Sequence, residues 1–349
     1  MFFSVLNDNA RRIYIDITQQ YEAYLDIVEQ MKTFQGGMKW IKREEKEYLF
    51  RQRNSRGDGK SLGIRSKNTE EQYERFHAKK SALIEKQKSL RAELESQSKF
   101  CIAANINRVP KIAADVIRVI QQAKSNTRAI IIVGTHTLYA YENMAGISFN
   151  TELLATGDID LMWNAERKLE LAGLKPNEGL LDLLKKVDKT FERQSKATYR
   201  AANEKGYLVD LIKPMPSPPY KITKSSITQN KNDLIAAEIE NLDWLYAAPP
   251  IQSTVIGNDG FPVIFDVPDP RVFSAYKLWL SKQDRRDPQK KSRDQKQARA
   301  VLQLIKEYLP KYQSFGSSLK GLPKKLRDDV SNEYDNIIVR QLSSEVPGL

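Results

Sequence analysis

The sequence predicts an α+β fold in which a short mixed sheet with flanking helices lies between helical N- and C-terminal regions. Three short apolar segments in the middle of the chain, residues 129–133, 157–163 and 206–212, are typical of buried strands. Toward both ends, apolar residues instead recur at three- and four-residue steps, which is typical of amphipathic helices. A chain of 349 residues is long enough for two or three domains.

The N-terminal region, residues 1–125, is predicted to be mostly helical. Apolar periodicity predicts helices over residues 8–38, 69–98 and 109–123, the second with Thr69 as its N-cap. Between the first two, β-forming residues on either side of a glycine-rich turn predict a basic β-hairpin near 47–65.

The middle of the chain, residues 126–220, is predicted to form a domain built on these strands, with a helix over 180–193 between its second and third strands. Residues 221–349 are predicted to form a mainly helical C-terminal region with one hairpin. Its predicted helices cover residues 233–246, 270–281, 287–308 and 325–343, and its hairpin turns at residues 258–260.

Composition excludes several classes of protein. Hydrophobic residues make up 40% of the chain and charged residues 29%, which is typical of a globular protein. One cysteine, Cys101, and two histidines, His77 and His136, are too few for a Cys/His zinc site, so any metal must be held by oxygen. No apolar run is long enough to span a bilayer, and residues 1–6 lack the basic start of a signal peptide. We therefore expect a cytoplasmic protein with no membrane partner.

The formal charge of +12 is concentrated in two stretches. Residues 39–67 contain ten Lys or Arg against four Asp or Glu, and residues 282–299 contain eight against three. Such excesses suit a polyanion such as a nucleoside triphosphate or RNA. The alternative is an ordinary solvated basic surface.

Three aspartates lie in the predicted central strands. Asp158 and Asp160 project to the same side of their strand because alternate residues of a strand share a face. Asp210 is likewise flanked by apolar residues in the third strand. Neighbouring carboxylates are costly unless a cation lies between them. Convergence of the three would suit Mg²⁺ or Mn²⁺ bridging to substrate phosphates.

A glycine and a threonine, Gly134 and Thr135, mark the predicted passage from the first central strand into a helix. Glycine lets the backbone approach a phosphate, and the free amides of a helix start favour an anion. Alone, the pair also fits a plain turn.

Together these elements resemble the DNA polymerase β-like nucleotidyltransferase superfamily, which has an apolar strand, a Gly-Ser or Gly-Gly turn, a downstream Asp-x-Asp and a further Asp. The matching elements are Val133-Gly134-Thr135, Asp158-Ile159-Asp160 and Asp210. More closely, the chain is similar to a little-characterised bacterial nucleotidyltransferase-fold family over residues 134–142, 154–163, 206–214, 47–51, 60–63, 237–240, 268–271, 277–281 and 286–288, and thus over most of residues 40–310.

The resemblance implies transfer of a nucleoside monophosphate (NMP) from a nucleoside triphosphate (NTP) to the hydroxyl of RNA, tRNA, a protein or a small molecule. It implies that Asp158 and Asp160 hold the metal on the triphosphate and that Asp210 helps to bind a second metal. The sequence departs from the pattern in two ways: position 135 is Thr instead of Ser, and the 22 residues between it and Asp158 are a longer gap than in the compact members. Longer gaps also occur in the branch that resembles abortive-infection toxins.

Basic residues complete the predicted site. The toxin-like relatives place a lysine near the triphosphate as Lys277 is placed here, so Lys277 joins Gly134 and Thr135 as a predicted nucleotide contact. Candidates for phosphate or RNA contacts are Arg285, Arg286, Lys290 and Lys60, although the spacing around Lys60 is not that of a P-loop. The alternative function is a non-catalytic nucleotide- or nucleic-acid-binding module that retains the fold.

Overall fold

The computed structural model describes residues 2–53, 58–123, 129–165, 178–218, 223–316 and 319–337. Its helices are α1 (Asp8–Lys32), α2 (Lys67–Ala103), α3 (Lys111–Ala123), α4 (Thr137–Ala145), α5 (Thr151–Leu154), α6 (Leu180–Val187), α7 (Pro270–Ser281), α8 (Pro288–Tyr308) and α9 (Lys324–Asp335). Its strands are β1 (Phe3–Val5), β2 (Gly37–Arg43), β3 (Lys46–Gln52), β4 (Gly59–Ile64), β5 (Ile130–Val133), β6 (Ile147–Phe149), β7 (Asp158–Trp163), β8 (Glu192–Arg193), β9 (Arg200–Ala202), β10 (Leu208–Pro214), β11 (Ala237–Ile239), β12 (Ile251–Ile256) and β13 (Pro262–Val267). The predicted α+β class is confirmed.

The chain divides into two compact units. The smaller unit is formed by Asp8–Ile106 and Asp259–Pro262, and the larger one by Met1–Asn7, Asn107–Asn258 and Val263–Leu349. In the smaller unit α1 packs along α2, and strands β2, β3 and β4 form an antiparallel sheet. The turn between β3 and β4 was predicted over residues 54–59, of which 54–57 lie outside the described residues.

The larger unit contains a mixed sheet that organises the candidate site. Among the described residues its strand order is β5-β7-β10-β9-β8, with β11 also paired to β10. Strands β7 and β10 are parallel, whereas β5 and β9 run antiparallel to them. Ile131, Ile159 and Leu211, from the three central strands, are fully buried, as their apolar setting predicted. Helix α3 packs against α6, and α7 packs against α8.

The N-terminal helix is shorter than predicted because a glycine redirects the chain. Helix α1 ends at Lys32, and Gly36 has a φ of +76°. A Cβ there would lie 2.2 Å from the backbone oxygen of Gln52. The predicted capping residue of α2 was also wrong. The N-cap is Ser66, and Thr69 is the N3 member of the capping box, its side chain accepting a 2.8 Å hydrogen bond from the Ser66 amide.

The predicted helix over residues 233–246 was wrong. The chain instead forms β11 beside the last residues of β10 and then a 3₁₀ turn, Leu242–Tyr246. Pairing with the edge of β10 overrides the local periodicity, and the Met215 amide donates to the Ile239 carbonyl at 3.0 Å. The side chain of Asp233 is used elsewhere, since it accepts hydrogen bonds from two amides at the start of α6.

Two other helices end earlier than predicted. Helix α6 ends at Val187, and the last residues of the predicted helix form β8, which pairs with β9. The final helix α9 ends at Asp335, and residues 338–343 of the predicted helix lie outside the described residues. In the part of the chain that the structure describes, no helix combines the length and apolar character needed to cross a membrane.

Candidate active site

The register of two parallel strands brings the three predicted acids together. In β7 and β10, Asp160 lies opposite Asp210, and Asp158 lies opposite Leu208. Residues opposite one another in neighbouring strands share a face of the sheet, so all three carboxylates project from the same face. Ile159, between the two acids of β7, points into the core and is fully buried.

The glycine that follows β5 lies against one of these acids. Gly134 has a φ of +70°, and a Cβ at this position would lie 2.4 Å from Oδ2 of Asp160. The site therefore requires glycine both for the backbone conformation and for the space beside the carboxylate. Gly134–His136 forms one 3₁₀ turn that leads into α4, so the predicted strand-to-helix passage is present.

Gly134→Ala is expected to destabilise the protein by about 1–3 kcal/mol, because alanine would be strained at this φ and would displace Asp160. Urea unfolding would measure the change. The matched control is Gly157→Ala, where the added Cβ meets no atom within 4 Å. Equal stability of the two variants would contradict the expectation.

The three acids interact electrostatically. Burial, and then the negative charges of Asp158 and Asp210, raise the pKa of Asp160 to about 7, while Lys277 and Arg200 oppose the rise. Asp158 also accepts a hydrogen bond from the Thr156 hydroxyl. A cation beside Asp158 and Asp160 would favour the ionised form of Asp160. Carboxylate oxygens are the donor type that Mg²⁺ and Mn²⁺ prefer.

The raised pKa makes stability depend on pH. The pKa of Asp160 rises from about 3.9 in the unfolded chain to about 7 in the folded protein. Its contribution to the free energy of unfolding is therefore complete below pH 4 and is lost as pH rises to 7. Glu142, with a pKa raised to about 7 by burial, acts in the same direction. Burial lowers the pKa of His136 to about 4, so its contribution to the free energy of unfolding instead increases as pH rises from 4 to 6.5.

The Asp160 contribution is isolated by comparing wild type with Asp160→Asn. We expect the unfolding free energy of the metal-free variant to decline less between pH 5 and 8. Denaturant titrations across this range would measure both curves. Parallel curves would show that Asp160 ionises normally in the fold.

The acids face a cavity with a volume of about 370 Å³. Its lining residues include Gly134, Thr135, Asp158, Asp160, Tyr199, Arg200, Asp210, Tyr276, Lys277, Arg286, Lys290 and Arg293. Strands β7 and β10 carry the three acids, whereas α7, α8 and the turn between them carry Lys277, Arg286, Lys290 and Arg293, which form a basic wall. The structure brings together most of the predicted site residues.

A family model described as Nucleotidyltransferase matches residues 111–317. The matched region is more than half of the chain and contains the three acids, the Gly134 turn and α7. This chain belongs to that nucleotidyltransferase family. Family membership gives the general reaction, transfer of a nucleoside monophosphate with an NTP as donor. No curated protein and no solved structure matches the chain.

A buried aspartate organises the basic wall of the nucleotidyltransferase. The carboxylate of Asp294, on α8, is fully buried and accepts a 2.7 Å hydrogen bond from Nζ of Lys277. Its other oxygen accepts from Nε of Arg286 at 2.9 Å. Burial lowers the pKa of Lys277, and Asp294 opposes that change. Both cations are therefore held at the cavity by one carboxylate that the sequence analysis did not identify.

The other predicted cations are placed differently. Lys290 lines the cavity and is exposed. Arg285 is exposed in the turn between α7 and α8, and it is not among the residues that line the cavity. Lys60 is exposed on β4 of the smaller unit, and its phosphate contact stays a prediction.

Two further polar residues of the site were not predicted from the sequence. Arg200, on β9, donates to both carboxylate oxygens of Asp210, at 2.7 and 2.6 Å. Gln297, on α8, is fully buried and donates to the Thr135 hydroxyl at 3.2 Å. Their sequence signals were weak, since each lies in a stretch rich in polar residues.

Within the described residues, no group of three or more Asp, Glu, His or Cys is arranged so that it could hold a metal ion as it stands.

The neighbouring histidine and aromatic residues belong to the core. His136 is buried, and its Nε2 lies 3.4 Å from the Tyr207 hydroxyl. Its lowered pKa keeps the ring neutral near pH 7. Tyr141 is fully buried, and its hydroxyl donates to the Pro268 carbonyl at 2.8 Å.

Proposed function

We propose that this nucleotidyltransferase is metal-dependent and moves an NMP from an NTP to an acceptor hydroxyl. The observation that carries the proposal is the parallel register that turns Asp158, Asp160 and Asp210 toward one cavity. In the proposal, Asp158 and Asp160 hold Mg²⁺ or Mn²⁺, and Asp210 contributes to a second metal position. Two further cations that line the cavity, Lys290 and Arg293, favour a polyanionic acceptor such as RNA or tRNA.

In the proposed reaction the acceptor oxygen attacks the α-phosphorus of the NTP. The bond between that phosphorus and the oxygen bridging to the β-phosphate breaks, pyrophosphate leaves, and the hydroxyl proton passes to solvent. Bound Mg²⁺ or Mn²⁺ would stabilise negative charge on the attacking and leaving oxygens. Lys277 and Arg286, fixed by Asp294, would bind the pyrophosphate oxygens. Gly134 and Thr135 would offer amide and hydroxyl donors to the triphosphate.

The proposal is tested by incubating the protein with labelled NTPs, Mg²⁺ and total cellular RNA or lysate. We expect label in one class of macromolecule or small molecule, and none when EDTA replaces Mg²⁺. Label that enters RNA would identify the polyanionic acceptor, whereas label in protein would overturn that part of the proposal. No incorporation in any fraction would favour the non-catalytic binding module.

The two neighbouring arginines should differ in their effect on nucleotide binding. Arg286→Gln is expected to weaken NTP binding about tenfold, because it removes a charge-assisted hydrogen-bond donor from the cavity. Arg285→Gln is the matched control, since this side chain is exposed and does not line the cavity. Calorimetric titration with a non-hydrolysable NTP at two salt concentrations would measure both. A larger effect at Arg285 would place the triphosphate elsewhere.

A further inference from the structure

One of the three acids already has a cationic partner. Arg200 lies opposite Asp210 in the antiparallel pair of β9 and β10. Its Nε and Nη2 groups donate to the two carboxylate oxygens of Asp210, at 2.7 and 2.6 Å. The Asp210 side chain is 8% exposed and the Arg200 side chain 27% exposed. The contact is therefore a bidentate ion pair between two residues that line the cavity.

Such a pair competes directly with a metal ion. A guanidinium fork directs both carboxylate oxygens toward its own N–H groups, and a divalent cation needs lone pairs on the same oxygens. Asp158 and Asp160 lie on the neighbouring strand and line the same cavity, and Oδ2 of Asp160 lies beside Gly134. The two potential metal positions are thus unequal before substrate binds.

We propose that Arg200 is a positioning residue that keeps Asp210 out of metal coordination until nucleotide binds. This inference rests on the proposed metal-dependent function. Without nucleotide, one divalent cation binds at Asp158 and Asp160. The second position forms when Arg200 releases Asp210.

The nucleotide supplies a reason for the release. Arg200 lines the same cavity as Lys277 and Arg286, so a triphosphate there offers its guanidinium an alternative anionic partner. More than a quarter of the Arg200 side chain is exposed, so the core does not enclose it fully. Coupling the second metal to nucleotide would keep the enzyme from assembling its full metal site without substrate. A purely structural Arg200 would neutralise Asp210 in every state.

Counting bound Mn²⁺ separates these roles. Metal-free full-length protein would be titrated with Mn²⁺ and followed by electron paramagnetic resonance, without nucleotide. We expect one tight site in wild type and a second in Arg200→Gln, whose affinity for the second ion rises about 10- to 100-fold. Arg193→Gln is the matched control, since this arginine of the same sheet donates only to the backbone carbonyls of Lys231 and Asp233 in the described contacts. Wild type should reach two ions when a non-hydrolysable NTP is added.

The inference is overturned if Arg200→Gln binds Mn²⁺ with the number and affinity of wild type, or if wild type binds two ions without nucleotide. If Arg200→Gln does not fold, Arg200→Lys decides the question, since it keeps the charge but loses the fork and should bind the second ion with intermediate affinity. Failure of the proposed function would give a different result: wild type would bind both ions with nucleotide but would transfer no label to any acceptor.

Discussion

Asp160→Asn is expected to lower kcat/KM by more than about 100-fold. Loss of a residue that merely orients a metal ligand typically costs 10- to 100-fold, so loss of the ligand itself should cost more. Asparagine keeps the size of the side chain but removes the charge that would hold the cation. It also removes the carboxylate that burial and Asp158 disfavour, so the metal-free variant should remain folded.

The measurement combines labelled-NTP turnover with melting curves. A ligand that binds only the folded state raises the melting temperature, so NTP with Mg²⁺ should stabilise wild type and leave Asp160→Asn nearly unchanged. Asp284→Asn is the control, because Asp284 is an exposed carboxylate in the turn after α7. An unaltered Mg²⁺-dependent shift in Asp160→Asn would show that the acids do not hold the metal.

Asp294→Asn is expected to destabilise the protein by about 3–5 kcal/mol, because removing one partner of a buried ion pair leaves the other charge uncompensated. Here the uncompensated charge is that of Lys277, whose side chain is 6% exposed. Arg286 would lose its carboxylate partner as well. We also expect the KM for NTP to rise, since both cations would lose the contact that holds them at the cavity.

Urea unfolding and steady-state kinetics would measure the two effects. Asp329→Asn is the matched control, because its ion pair with Lys282 is partly exposed and should contribute at most about 1 kcal/mol. Similar stability losses in the two variants would show that burial of Asp294 does not increase the contribution of its ion pairs to the free energy of unfolding. An unchanged KM would mean that Lys277 and Arg286 do not contact the nucleotide.

Local patterns were sufficient for the elements that form the centre of the site. The alternation of Asp158, Ile159 and Asp160 predicted a strand with two carboxylates on one face, and the apolar run of β5 predicted the strand before Gly134. These predictions succeeded because strand geometry depends on residues that are adjacent in sequence.

Predictions failed where a distant segment supplied the stabilising contact. The periodicity of residues 233–246 favours a helix, but the edge of β10 offers hydrogen bonds that turn part of it into β11. The same reason explains the short α6, whose expected last residues pair with β9. A local pattern cannot register a partner strand that comes from another part of the chain.

The sequence by itself determined the α+β class, the acid pair of β7 and the glycine that the backbone needs beside it. Only the tertiary structure decided how the charges are paired. Arg200 reaches Asp210 because β9 and β10 lie side by side, and Asp294 holds Lys277 and Arg286 because α7 packs against α8. These pairings affect stability strongly because the charges are buried, and a charge removed from water is stable only beside a partner. Which residue becomes that partner depends on how the strands and helices pack.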